Sequence, residues 1–151
     1  MKDFKTMKYF KLSEFTNSVT ANKLQVDNTP PPAARARITA LVANVLDPLR
    51  AAWGDPITVT SGYRCPKVNA AVGGSKTSQH MTGEAADITT GSVAGNKKLF
   101  ALIRNLNLPF DQLIDENGYA WVHVSHRSGA NRKVVLRAKQ VRGKWVYTRV
   151  K

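Results

Sequence analysis

Cysteine is nearly absent from this chain: Cys65 stands alone among 151 residues. An internal disulfide is therefore excluded, and so is a metal cluster built on several thiolates. Nothing near Cys65 forms a Cys–His nucleophile pair, so it reads as a small, partly buried thiol. Histidine is scarce too, with three in all, at positions 80, 123 and 126. Any imidazole-based site must be drawn from these. No apolar run approaches the roughly 20 residues that a membrane-spanning helix needs. Residues 1–15, MKDFKTMKYFKLSEF, start basic but lack the continuous apolar core of a signal peptide. The sequence thus predicts cytoplasmic synthesis and no membrane span. No internal repeat is visible.

Acidic residues are few, 10 against 23 basic ones, for a net charge of +13. That imbalance points to a polyanionic partner, and nucleic acid, anionic lipid and bacterial wall polymers all qualify. Charge alone does not choose among them. The length suits one domain that buries roughly 68–70% of its unfolded surface. An apolar fraction of 42% with 8% aromatics agrees with a globular chain.

Residues 27–34, DNTPPPAA, form a proline-rich break before the first long helix. In that helix Ile38, Leu41, Val42, Val45, Leu46, Leu49 and Trp53 recur at spacings of three and four, one apolar stripe. Pro48 removes a backbone donor and should kink the last turns, and Gly54 should end them. ITVTS (57–61) reads as a strand, PKVNAAV (66–72) as a short helix, AADIT (85–89) as a strand and 92–106 as a helix. FDQLID (110–115) and YAWVHVS (119–125) read as a hairpin turning at Asn117-Gly118. The tail from Lys133 reads as a second hairpin about Arg142-Gly143. These elements predict a single α+β domain over 1–151 with a central antiparallel sheet flanked by helices. Its parts are an N-terminal extension (1–32), a core (33–125) and a basic C-terminal hairpin (126–151).

The chemistry-bearing residues lie around SQHMTGEAADI, residues 78–88. Side chains alternate along a strand, so Trp121, His123 and Ser125 share one face while Val122 and Val124 take the other. A catalytic zinc takes three protein ligands, usually imidazoles and a carboxylate, and keeps one open position. His80 on a loop, Asp87 on the following strand and His123 on another would supply that set. His126 falls on the opposite face or in the next turn. By spacing alone, a surface hydrogen-bonded pair is the commoner reading of His80 and Asp87.

The ordered stretch SGYRCPKVNAAVGGSKTSQHMTGEAADI, followed by FDQLI and WVHVS, resembles the zinc D-Ala-D-Ala carboxypeptidase family. That family includes vancomycin-resistance D,D-peptidases and phage endolysins that cut L-Ala-D-Glu bonds, with a structural cousin in the hedgehog signalling domain. The similarity is greatest to its short phage-type members and runs from about Leu12 to Ser125. Ser78, His80, Gly83, Ala85 and Asp87 match its S-x-H-x-x-G-x-A-x-D motif. The resemblance implies a hedgehog-like zinc fold, one zinc held by His80, Asp87 and His123, and a peptidoglycan stem-peptide substrate. It makes Arg64 the group that steadies the substrate or its developing oxyanion, with Ser78 and Trp121 as further substrate contacts.

One position departs from the pattern. Many members carry the general base three residues before the last histidine ligand, where this chain has Ala120. Shorter members have a glutamate after DQLI, which makes Glu116 the expected base and Asp115 the second choice. Two rival classes stand beside the peptidase: a catalytically inactive zinc domain that recognises wall or virion partners, and a nucleic-acid-binding module. The latter is disfavoured because no recognition motif accompanies the charge. The tail from residue 132 holds eight basic residues and no acidic one. It is read either as a solvated edge strand whose lysines discourage aggregation or as a hold on anionic wall polymers. The chain is expected to act as a monomer, on the wall after release or within a phage programme.

Overall fold

The computed structural model describes residues 7–150; residues 1–6 of the N-terminal extension and Lys151 of the tail lie outside them. Two short helices, α1 (Leu12–Thr16) and α2 (Val19–Leu24), precede the proline-rich break. The apolar stripe then forms α3 (Pro32–Leu41), a π-helical turn (Val42–Leu46) and α4 (Asp47–Trp53), which Gly54 ends. Pro48 cannot donate to a carbonyl one turn back, and the ladder widens just before it instead of breaking. In that widened turn the Asn44 amide donates to the Ala40 carbonyl at 2.7 Å. Asp47 accepts from the backbone N–H groups of Lys8 and Tyr9, which ties the N-terminal segment to this rod. Ile38, Leu41, Val42, Val45, Leu46 and Leu49 are all buried. Each such side chain contributes roughly 1.5–3 kcal/mol, so the rod is the main prop of the core.

The strands are β1 (Thr58–Ser61), β2 (Ala85–Thr89), β3 (Gln112–Glu116), β4 (Trp121–Ser125), β5 (Val134–Val141) and β6 (Lys144–Arg149). Between them lie α5 (Pro66–Ala71), a 3₁₀ turn (Gln79–Thr82) and α6 (Val93–Asn105). The order across the sheet is β1-β2-β4-β3-β5-β6. The β3–β4 hairpin turns at Asn117 and Gly118, both with positive φ (52° and 67°), as that dipeptide favours. The expected α+β class holds, with one refinement to the antiparallel sheet. Four pairings are antiparallel, but β5 runs parallel to β3. The reason is topological: β2 already occupies the outer edge of β4, so the tail must cross to the free edge of β3.

Asp111 anchors that crossing. It is fully buried and accepts from the Arg132 backbone N–H (3.0 Å), from Arg132 Nε and Nη2 (3.0 and 2.8 Å) and from Gln79 Nε2 (3.0 Å). Burial alone would raise its carboxyl, but the bonds from Arg132 and then Gln79 hold it down at about 2. The folded value lies below the unfolded one of about 3.9, so this contribution is complete above pH ~4 and fades as pH falls toward 2. Arg132 is half exposed, and screening reduces the effect to about 1–2 kcal/mol. Thermal melts should show Asp111→Asn destabilised by that amount at pH 7. The gap to the parent should close between pH 4 and pH 2; a gap independent of pH would contradict this assignment.

Candidate metal centre

The sheet register assembles the site. Asp87 on β2 pairs with His123 on β4, which pairs with Ile114 on β3, which pairs with Leu136 on β5. Side chains of one such row share a face, so Asp87 and His123 meet directly. The next row holds Trp121, Glu116, Ala138 and Tyr147. His80 arrives from the 3₁₀ turn, whose first turn is capped by Ser78 Oγ accepting from His80 N at 3.2 Å. Gly83 ends that turn with φ +81°, and a Cβ there would lie 2.3 Å from the Ala34 carbonyl oxygen. The motif glycine therefore permits both the left-handed turn and its seat against α3.

His80, Asp87 and His123 are all buried, and one ligand atom from each lies within 4.8 Å of the others. Asp87 Oδ1 stands 3.3 Å from His80 Nε2 and 3.1 Å from His123 Nδ1. His80 Nδ1 is 2.7 Å from the Gly62 carbonyl oxygen. A carbonyl can only accept, so Nδ1 carries the hydrogen and Nε2 presents a lone pair to a carboxylate oxygen. Two lone pairs do not face each other at that distance unless a cation, a proton or a metal ion, lies between them. Two imidazoles and one carboxylate are a donor set that zinc takes. The residues fit the ion.

Arg64 completes the setting. Its Nη2 donates to Asp87 Oδ2 at 3.2 Å, while Nε reaches Ser61 Oγ at 3.0 Å and Nη1 reaches Asn69 Oδ1 at 3.4 Å. The guanidinium thus orients Asp87 and leaves Oδ1 to the imidazoles. Burial disfavours the Asp87 charge, but His80, His123 and their bonds hold the carboxyl well below the usual range.

The cluster opens into a cleft of about 780 Å³ whose lining includes Arg64, Ser78, Glu116 and Trp121. All the residues singled out around His80, Asp87 and His123 therefore border one space. Glu116 is buried, and burial pushes its carboxyl up to about 7. Asp115 points to the other face, where it accepts from Tyr119 N (2.6 Å) and Arg137 Nε (3.3 Å). Ala120 lies in the turn, where its N–H donates to the Glu116 carbonyl. His126 does not border the cleft, and burial lowers its pKa. Cys65 is partly buried, and its N–H donates to Asn28 Oδ1.

Three groups of residues at the site went unread in the sequence. Gln79, Arg127 and Arg132 line the cleft, and so does the tail hairpin through Gln140, Trp145 and Tyr147. Asn96 is buried and binds the Tyr119 and Ala120 carbonyls, holding the turn that leads into β4. The alternation of Trp145 and Tyr147 was a usable signal for the hairpin. None existed for Asn96, a lone amide in a helix.

Among described residues, no helix is long and apolar enough to cross a membrane. The peptidase M15 family profile matches residues 8–125. A zinc D-Ala-D-Ala carboxypeptidase of Streptomyces albus G is 50% identical over 62 residues, covering 40% of this chain and 24% of the relative. The chain thus spans about a quarter of that relative's length. With the profile covering most of its residues, the chain belongs to the peptidase M15 family.

Proposed function

We propose that this protein is a zinc metallopeptidase that hydrolyses the stem peptide of bacterial peptidoglycan, at a D-Ala-D-Ala or an L-Ala-D-Glu bond. One observation carries the reading. The buried Glu116 carboxylate stands one cross-strand row from the His80–Asp87–His123 cluster, on the same side of the sheet and in the same cleft. Family membership and the carboxypeptidase relative support the metal and the substrate class. His80, Asp87 and His123 would hold the zinc, which when bound would supply Lewis-acid chemistry, acidifying water toward a pKa of about 7 and polarising a carbonyl.

The chain's own groups do the rest. Glu116, with its carboxyl held up near 7 by burial, takes a proton from the attacking water and returns it to the amine nitrogen as the C–N bond breaks. The water oxygen stays with the new carboxylate, so no covalent enzyme intermediate forms. Arg64 keeps a permanent charge beside the reacting carbonyl, where one donor to an oxyanion is often worth about 3–4 kcal/mol. Ser78 and Trp121 contact the substrate from the cleft wall. An inactive wall- or virion-binding zinc domain is the reading that Ala120 invites. The Glu116 carboxylate in the cleft favours catalysis over it. In this reading the enzyme acts on the wall, after release from the cell or within a phage programme.

Two outcomes are expected. His80→Ala, Asp87→Ala and His123→Ala should each lower zinc content by elemental analysis, whereas His126→Ala should keep one zinc per chain. Full occupancy in His123→Ala with loss in His126→Ala would overturn the ligand assignment. Glu116→Gln should retain zinc yet turn over stem peptide about 10²–10⁴-fold more slowly. A base works only when ionised, so kcat/KM of the parent should fall as pH drops below a limb at or under about 7. Normal turnover in Glu116→Gln, or an inactive Asp115→Asn that keeps its zinc and its fold, would assign the base elsewhere.

A further inference from the structure

The family match stops at residue 125, yet the cleft does not. Its far wall is the tail hairpin. Trp121 on β4 and Trp145 on β6 are separated by β3 and β5, three strand spacings or about 14 Å on a flat sheet. Their ring centroids nevertheless lie 6.2 Å apart, edge to face at 75°. The two indoles therefore reach toward each other across the row that holds Glu116 and Ala138. Tyr147 sits in that row, with Ala138, the smallest side chain there, between it and Glu116. Partial burial and then the nearby Glu116 charge push the Tyr147 phenol up, in keeping with that position. Gln140 pairs directly with Trp145 and brings an amide alongside the indole. Trp121 and Trp145 remain partly exposed, and Tyr147 is 53% exposed.

Aromatic faces beside an amide are a recognisable chemistry. Aromatic faces carry partial negative charge and attract the polarised C–H faces of a pyranose, while an amide pairs with its hydroxyl or acetamido rim. A stem peptide of alanine and glutamate has little apolar surface to offer three rings. We infer that Trp121, Trp145, Tyr147 and Gln140 form a subsite for a sugar ring of the glycan strand, so that the preferred substrate is a stem peptide still attached to its glycan. This rests on the peptidoglycan reading for the identity of the sugar, and on the register and the ring contact for its place. It also gives the cleft face of the hairpin a task distinct from that of its basic outer face, where Arg137 is already paired with Asp115.

The test uses the full chain and the peptide-free disaccharide of peptidoglycan, N-acetylglucosaminyl-N-acetylmuramic acid. The disaccharide should bind chelator-treated protein, detected by calorimetry and by a change in tryptophan fluorescence. Trp145→Ala should weaken that binding about tenfold, a loss of the size one aromatic contact accounts for, and Trp145→Phe should recover most of it. In turnover, the ratio of kcat/KM for disaccharide-linked over free stem peptide should fall about tenfold in Trp145→Ala. Should that variant fail to fold by circular dichroism, Tyr147→Ala, at a half-exposed position, serves in its place. Cleavage of free and glycan-linked peptide with equal kcat/KM would overturn the subsite while leaving the peptidase reading intact. Disaccharide binding without any peptide hydrolysis would do the reverse. Failure of the disaccharide to bind the parent protein overturns the subsite outright.

Discussion

The structure is organised around one buried charge. Asp87 sits inside the sheet, and an isolated carboxylate there would cost several kcal/mol. Two imidazoles and a guanidinium surround it, all within 3.3 Å of a carboxylate oxygen. Each partner comes from a different element, so the arrangement exists only when the β2–β4 register, the 3₁₀ turn and the segment after β1 are all in place. The Gly62 carbonyl fixes the His80 tautomer, and Ser61 and Asn69 fix Arg64. The fold itself thus arranges the site for a cation.

Much of this was legible in the sequence, because local rules and global fold agree there. The apolar stripe of the long helix, the Asn117-Gly118 turn and the alternation along WVHVS each have one natural reading. The alternation put His123 on a face with Trp121 and Ser125; that Glu116 shares this face follows from the β3–β4 register. The motif around His80 was informative because a glycine is needed where the turn packs against α3. The refinement at Pro48 was not legible. The missing donor was clear, but nothing in the local sequence says that the ladder widens to a π-helical turn before Pro48.

The rest is non-local and left no trace in periodicity. The parallel β3–β5 pairing follows from which sheet edge remains free, a fact about the whole topology. The engagement of Asp111 with Arg132 depends on that crossing. So does the aromatic wall. Trp145 and Tyr147 read as one face of a strand, but nothing near them in sequence says that Trp145 meets Trp121 across two intervening strands. The basic tail illustrates the same limit. Its charge does not tell that Arg132 and Arg137 each pair with a buried carboxylate.

The most direct measurement is digestion of purified peptidoglycan with product masses recorded, before chelation, after chelation and after zinc is restored. New peptide termini at one stem-peptide bond, lost with the chelator and regained with zinc, are the predicted result. A protein that binds one zinc per chain yet leaves every stem peptide intact would contradict it, and would make the buried His-Asp-His cluster a binding feature without catalysis.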